Sequence, residues 1–235
     1  MEFWPTVSTH NAGVNTRHKH RKPRMARILI TSGPTREYLD PVRYLTNASS
    51  GRMGRALALA VLERGHQVVV VSGPVEIEYP AGAELHWVLT TEEMLATCRR
   101  VFPACDGLIG AAAPCDYRSQ QVAKDKIHKT GQPLQLELIE TPDIVATLAA
   151  EKLPHQWIVG FALETDDAHF RAITKLQQKK CDLVVLNGPQ AMHAADTQVE
   201  ILNRRGEVSA AFSGSKEVVS SHILAEIEAQ LMQQT

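Results

Sequence analysis

The sequence predicts an α/β protein: a mostly parallel sheet flanked by helices, with one β excursion that leaves the sheet. Three observations carry the prediction. Short apolar, β-branched runs recur along the chain, stretches with helical spacing of apolar residues separate them, and glycine, proline or a capping residue stands at the joins. Strands that alternate with helices pack as parallel neighbours linked by right-handed crossovers.

Residues 1–25 stand apart. They are polar and irregular and close on the basic run Arg17, Lys19, Arg21, Lys22 and Arg24. They read as a disordered tail, and Met25 offers a second start. Residues 26–235 read as one domain. Its first strand is RILITS at 27–32, a continuous apolar run that suits burial on both faces. Residues 51–64 follow as a helix, with Met53, Leu57, Ala60 and Val61 on one side and Gly65 as its stop. Residues 67–72 form the next strand. Thr90-Thr91-Glu92-Glu93 reads as a capping box opening a helix to about Phe102, because the threonine hydroxyl and the glutamate satisfy N–H groups that a first turn leaves unpaired. Residues 107–113 make a strand ending in small side chains. Thr141-Pro142-Asp143 opens another helix, with Thr141 as cap, proline in the first turn and an acid near the positive end of the dipole. Strands at 157–163 and 183–187 enclose a helix at 166–180. The stretch 117–139 departs from this pattern, being polar and lysine-bearing before an alternating strand at 134–139. Near the end, strands at 198–203 and 208–212 flank Arg204-Arg205-Gly206, a hairpin signal, and a last helix covers 216–231.

Composition excludes several classes. A net charge of −1 gives no support to nonspecific nucleic-acid binding. No run of eighteen apolar residues occurs, so no membrane helix is expected, and the N-terminus lacks the apolar core of a secretory signal. Cys98, Cys105, Cys115 and Cys181 make no CxxC pair. They offer neither a zinc site nor a disulfide framework, and read as reduced thiols of a cytoplasmic protein.

The long loop between the first strand and its helix holds Gly33-Pro34-Thr35-Arg36 and, further on, Asn47-Ala48-Ser49-Ser50-Gly51-Arg52-Met53-Gly54. A strand, a glycine-bearing loop and a helix offer backbone N–H groups and a helix dipole to an anion. The same residues also serve a plainer purpose, with Ser50 as a helix cap and Gly51 and Gly54 allowing close packing. A nicotinamide cofactor fits poorly. The connection is too long for the tight GxGxxG turn, and Ser72-Gly73-Pro74 ends the second strand where a ribose-binding carboxylate would stand.

At this loop the residues become specific. Ser32-Gly33-Pro34-Thr35-Arg36-Glu37, Asp40-Pro41-Val42-Arg43-Tyr44 and Asn47-x-Ser49-Ser50-Gly51-x-Met53-Gly54 closely resemble the signature of phosphopantothenoylcysteine synthetases. Further resemblances follow in the family's order: Gly110-Ala111-Ala112-Ala113 with Asp116-Tyr117-Arg118, then Lys126-Ile127-His128-Lys129 beside the family's KxKK, then Thr141-Pro142-Asp143-Ile144-Val145. Gly160-Phe161-Ala162-Leu163-Glu164-Thr165, Lys175 with Lys179, and residues 182–187 ending in Asn187 complete the set. Two departures stand out: His128 replaces a lysine, and Ala48 replaces a residue that is often larger or polar.

The resemblance implies a Rossmann-like ligase. It would join 4'-phosphopantothenate and L-cysteine through an acyl-nucleotide, with Mg²⁺ and CTP (or ATP) and no flavin, in a form lacking the decarboxylase half of bifunctional relatives. Base choice between CTP and ATP would rest on backbone contacts that side-chain motifs do not encode; the bacterial-type KxKK segment favours CTP. By resemblance, Ser49, Ser50, Gly51 and Gly54 cradle the triphosphate, with Lys175 and Lys179, one helical turn apart, meeting phosphates. Phe161 lies against the base. Gly110, Ala111, Ala112, Asp116, Pro142, Asp143, Ile144, Val145 and Asn187 line the nucleotide pocket, and Ala112, Ala113 and Asp116 also face the substrate. Asn47 would contact the acyl phosphate, since a neutral amide both donates and accepts. Lys126 would supply the cation for the reacting groups from a mobile flap. Arg43 would reach a neighbouring subunit's phosphopantothenate, which implies a homodimer joined through the excursion at 117–139. The Mg²⁺ ligands stay unassigned. Two further readings stand beside this one: a Rossmann-like NAD(P)-dependent oxidoreductase, and a noncatalytic nucleotide-binding protein.

Overall fold

The computed structural model describes residues 25–163, 168–187 and 196–232. The predicted tail up to residue 24 lies outside the described residues, as do Glu164, Thr165 and the first two positions of the helix predicted at 166–180.

In chain order the elements are β1 (Arg27–Ser32), β2 (Arg36–Tyr38), β3 (Tyr44–Thr46), α1 (Arg52–Glu63), β4 (Gln67–Ser72), β5 (Glu84–Trp87), α2 (Thr91–Val101) and β6 (Gly107–Gly110). There follow β7 (Tyr117–Ser119), β8 (Leu138–Glu140), α3 (Ile144–Glu151), β9 (Trp157–Leu163), α4 (Ala168–Gln178), β10 (Leu183–Asn187), β11 (Asp196–Leu202), β12 (Val208–Ser215) and α5 (Lys216–Ile227). The main sheet runs β12-β11-β10-β9-β6-β1-β4-β5. Six neighbouring strands are parallel, and only β11 and β12 turn back. Counted along the chain, the parallel strands stand in the order 3-2-1-4-5-6, the doubly wound arrangement. Its switch point falls between β1 and β6, where a crevice opens at the carboxyl ends of the strands.

The central strands are buried on both faces because they are apolar at successive positions. Ile28, Ile30, Val68, Val70, Leu183 and Val185 enter one core beneath α1 and α5. Leu29, Val69, Val71, Val184 and Leu186 enter the other, beneath α2, α3 and α4. The alternation of Cβ directions along a strand makes this split. Far from the crevice, buried His66 ties three segments: its Nδ1 accepts from the Ala26 N–H at 3.2 Å and its Nε2 meets Glu228 at 3.0 Å. Buried Asp182 accepts from Lys152 and from the Ile158 N–H, both at 2.7 Å, and also from Arg204.

The structure revises several boundaries. The long first loop contains the short hairpin β2–β3, and β5, which the sequence did not reveal, adds an edge to the main sheet. The strand expected at 107–113 stops at Gly110, and beyond it Ala113 bridges to Pro34. The capping box at α2 is offset: Thr90 accepts from the Glu93 N–H, but Glu93 reaches back to the Leu89 N–H. Helix α3 begins two residues later than expected. Its cap is Asp143, whose side chain accepts from the Ala146 N–H, while the Thr141 hydroxyl donates to the Cys115 carbonyl. Helix α4 ends at Gln178, before Lys180 adopts a left-handed φ of 50°. The excursion does leave the main sheet, but its strands are only β7 and β8, paired antiparallel, and the expected strand at 134–139 is reduced to the last of them. The final helix turns π-helical at Glu228–Met232.

Candidate active site

At the switch point lies a cleft of about 700 Å³. The loop after β1 forms one wall. Gly51 takes the N-cap position of α1 with φ 73°, and no side chain caps the helix, so Ser50 is not the cap that the plainer reading proposed. Gly51 suits this left-handed position, which side chains rarely adopt. Uncapped first-turn N–H groups and the helix dipole therefore face the cleft. Gly54 lets α1 sit directly on β1: a Cβ there would fall 2.1 Å from Ser32 Oγ.

The cleft lining takes in Asn47, Ser49, Ser50, Gly51 and Gly54 from this wall. Gly110, Ala111, Ala112, Ala113 and Asp116 line it after β6, and Pro142, Asp143, Ile144 and Val145 at the start of α3. Phe161, Lys175, Lys179 and Asn187 complete the opposite side. Sequence-distant motifs meet here because consecutive parallel strands deliver their carboxyl ends to one edge.

Several of these side chains are already engaged. The Asn47 Nδ2 donates to the carbonyls of Ala113 at 3.3 Å and Pro114 at 2.9 Å, which pins the β1 loop to the β6 loop. Lys179 Nζ stands 2.8 Å from Asp143 Oδ2, so an ion pair joins the turn after α4 to the start of α3. Asp143 thus both caps α3 and holds Lys179.

Arg43 and Lys126 are not among the cleft-lining residues. Arg43 donates to the Ile127 carbonyl at 2.5 Å and stands 3.6 Å from Asp40. Asp40 is fully buried and accepts from the backbone N–H groups of Val42, Arg43 and Ile127. Burial works against its charge, but the Ile127, Val42 and Arg43 N–H donors and the Arg43 guanidinium outweigh it and hold the carboxyl below its ordinary value. Asp40 and Arg43 therefore clamp the backbone beside Lys126. Asp40 appeared in the sequence motif without a role, and its burial gave no signal there.

Cys115 also lines the cleft. Burial raises its thiol, and raises Cys98 to about 12 and Cys181 to about 11. All four cysteines are buried and free, so none is a ready thiolate nucleophile. Among the described residues no group of three or more His, Cys, Asp or Glu side chains is placed to hold a metal ion. Thr197 and Lys216, absent from every sequence motif, also line the cleft.

The profile of the family described as "DNA/pantothenate metabolism flavoprotein C-terminal domain" matches residues 24–231. The coenzyme A biosynthesis bifunctional protein CoaBC of Vibrio cholerae is 39% identical over 220 residues, covering 87% of this chain and 53% of that protein. The CoaBC protein of Bacillus subtilis is 41% identical over 207 residues, covering 86% and 51%. The chain thus spans about half the length of the curated relatives it matches. A crystal structure of the C-terminal domain of CoaBC superposes with a TM-score of 0.76 at 33% identity, covering 89% of this chain and 97% of that one.

Proposed function

The chain belongs to the DNA/pantothenate metabolism flavoprotein C-terminal domain family, and from that premise we propose that it is a phosphopantothenate–cysteine ligase of coenzyme A biosynthesis. The observation that carries the reading is the cleft itself. An uncapped helix N-terminus, a small-residue strand end, the start of α3, Lys175 of α4 and Lys179 just beyond it all line one cavity, which suits a nucleoside triphosphate.

The reaction runs in two displacements. A phosphopantothenate carboxylate oxygen attacks the α-phosphorus of the nucleotide, the α–β anhydride bond breaks, and pyrophosphate leaves. The cysteine amine then attacks the acyl carbon and loses a proton as the nucleoside monophosphate departs. No oxidation state changes, so no flavin is called for. Both steps crowd anions together, and the chain's part is to place cations and dipoles. The N-terminus of α1 with Ser49 and Ser50 cradles phosphates, with Lys175 of α4 and Lys179 just beyond that helix facing them. Asn47, held by two carbonyls, contacts the acyl phosphate in this reading. Lys126 swings in from the clamped flap, and Arg43 serves a neighbouring subunit's phosphopantothenate. Asp116 offers the hard oxygen donor that suits a Mg²⁺ arriving on the nucleotide; the ion would neutralise phosphate charge.

We place the homodimer contact on the excursion, where Tyr117, Leu134, Leu136 and Leu138 are exposed, with Val42 and Tyr44 near its clamp. A second copy would cover such apolar area. We place the reaction in the cytoplasm; no described helix is long and apolar enough to cross a membrane. An oxidoreductase is disfavoured by the end of β4, where Ser72 and Tyr79 hydrogen-bond at 2.8 Å in the place of a ribose-binding acid. The test is pyrophosphate release across a nucleotide panel with phosphopantothenate and cysteine. CTP is expected to exceed ATP at least about tenfold in kcat/KM, or roughly 1.4 kcal/mol. Equal rates would refute the preference for CTP, and release independent of phosphopantothenate would refute the ligase.

A further inference from the structure

Residues 73–83 join β4 to β5, and none of them lines the cleft. Yet this strap presses on both left-handed glycines of the loop after β1. An added Cβ would fall 2.8 Å from Val75 Cγ1 at Gly33 (φ 72°) and again at Gly51 (φ 73°), and at Gly51 it would also lie 3.4 Å from the Tyr79 hydroxyl. Two contacts hold Tyr79 in place. Its ring meets Trp87 of β5 edge-on at 6.0 Å. The adjacent Glu78 carbonyl accepts from Arg55 Nε of α1 at 2.9 Å.

The Tyr79 hydroxyl starts a chain of hydrogen bonds that ends at the turn before α1. It donates to Ser32 Oγ at 2.7 Å, and fully buried Ser32 donates to the Gly51 carbonyl at 3.3 Å. Ser72, also fully buried, stands 2.8 Å from the phenol oxygen and can supply it a proton. Each hydroxyl has one proton to give, so Ser32, while it accepts from Tyr79, turns its own proton to Gly51. The same carbonyl accepts the first helical bond, from the Arg55 N–H at 3.0 Å. Across a planar trans peptide the N–H points opposite to the carbonyl. Fixing the Gly51 carbonyl therefore fixes the Arg52 N–H, one of the first-turn donors that have no partner within a helix. Gly51 and Arg52 line the cleft, and no side chain caps this helix.

We propose that Tyr79 is a positioning residue for the phosphates of the nucleotide: through Ser32 it fixes the Gly51–Arg52 peptide whose N–H meets them. The proposal deepens the nucleotide reading of the cleft and rests on it. Tyr79 itself touches no substrate. Without the phenol proton the Ser32 hydroxyl is free to turn away from Gly51, and the peptide loses a restraint while the apolar contacts of the strap remain. A donor that must be ordered during binding gives less than one already in place. The loss therefore falls on the group this peptide meets, the nucleotide, and spares cysteine and phosphopantothenate.

The experiment compares the full chain with Tyr79→Phe, Ser32→Ala and the double variant, each checked by thermal unfolding. Steady-state pyrophosphate release gives a KM for each of the three substrates, and calorimetry gives the affinity for CTP and for ATP alone. Tyr79→Phe keeps the ring against Trp87. It should raise the nucleotide KM about three- to tenfold and leave the KM values for phosphopantothenate and cysteine within about twofold of wild type. The double variant should be no worse than Ser32→Ala, because Tyr79 acts only through Ser32. An unchanged nucleotide KM in Tyr79→Phe overturns the proposal. So does an equal rise in all three KM values, which assigns the hydroxyl to general stability, and so do losses that simply add in the double variant. If the wild type releases no pyrophosphate but binds nucleotide, the ligase reading falls, and the affinity of Tyr79→Phe still decides the role of Tyr79. If the wild type binds no nucleotide, both readings fall together.

Discussion

Two glycines mark the contrast between the floor of the cleft and the excursion beside it. At Gly54 an added Cβ would lie 2.1 Å from Ser32 Oγ, whereas at Gly131 nothing stands within 4 Å and only the left-handed φ of 80° opposes a side chain. The floor is close-packed and set by strand ends. The excursion is held at a few backbone points: Gln120 N–H to the Glu137 carbonyl, Ala123 N–H to the Leu39 carbonyl, and Ile127 between Asp40 and Arg43. The difference teaches how one site combines a preorganised nucleotide cradle with a cation carried on a segment of little core. Preorganisation at the floor needs packing; a segment that closes over substrate needs contacts that can be given up.

The sharpest break of this comparison is Lys126→Gln, which leaves the floor intact and removes the flap's charge. It should lower kcat on the order of 100-fold or more, about 2.7 kcal/mol, with a smaller change in KM. Steady-state kinetics on folded protein decides it, and near-normal turnover would remove Lys126 from the mechanism.

Next comes the glycine pair. Gly54→Ala should cost about 1–3 kcal/mol through overpacking against Ser32 and lower the thermal midpoint. Gly131→Asn should leave the midpoint nearly unchanged, since asparagine tolerates the left-handed region. Equal losses in calorimetric unfolding would show that the two regions are not built differently.

Asp40→Asn tests the clamp itself. Loss of its charge should release Ile127 and lower kcat about tenfold through misplacement of Lys126, with the nucleotide KM unchanged. Because the folded carboxyl titrates below its ordinary value, its stabilising contribution is complete above about pH 4 and is lost as pH falls through the lower folded value. In an acid unfolding series the wild type should therefore lose stability in that window, and Asp40→Asn should lose less. A variant with an unchanged acid profile would contradict the clamp.

The smallest effect is expected at His128. It is exposed beside the clamped Ile127, so His128→Ala should change kcat by less than about threefold. His128→Lys should be tolerated. A loss at His128→Ala as deep as at Lys126→Gln would undo the division of roles within the flap.

The sequence by itself determined the alternating parallel architecture, because continuous apolar runs such as β1, β4 and β10 must be covered on both faces. It also determined the short motifs whose residues line the cleft, since each is a local strand end or helix start. The sequence concealed β2, β3 and β5, which are too short and too exposed to carry a period. It placed the α3 cap at Thr141 rather than Asp143, because either side chain suits a cap and only the backbone direction beyond Pro142 chooses between them. What the tertiary structure alone decided is which distant groups meet. Asp40 reaches Ile127 across 87 residues, and Asn187 pairs with Val199 through an antiparallel register. Burial and partner choice at such points come from the packing of whole elements, and no local pattern of residues records them.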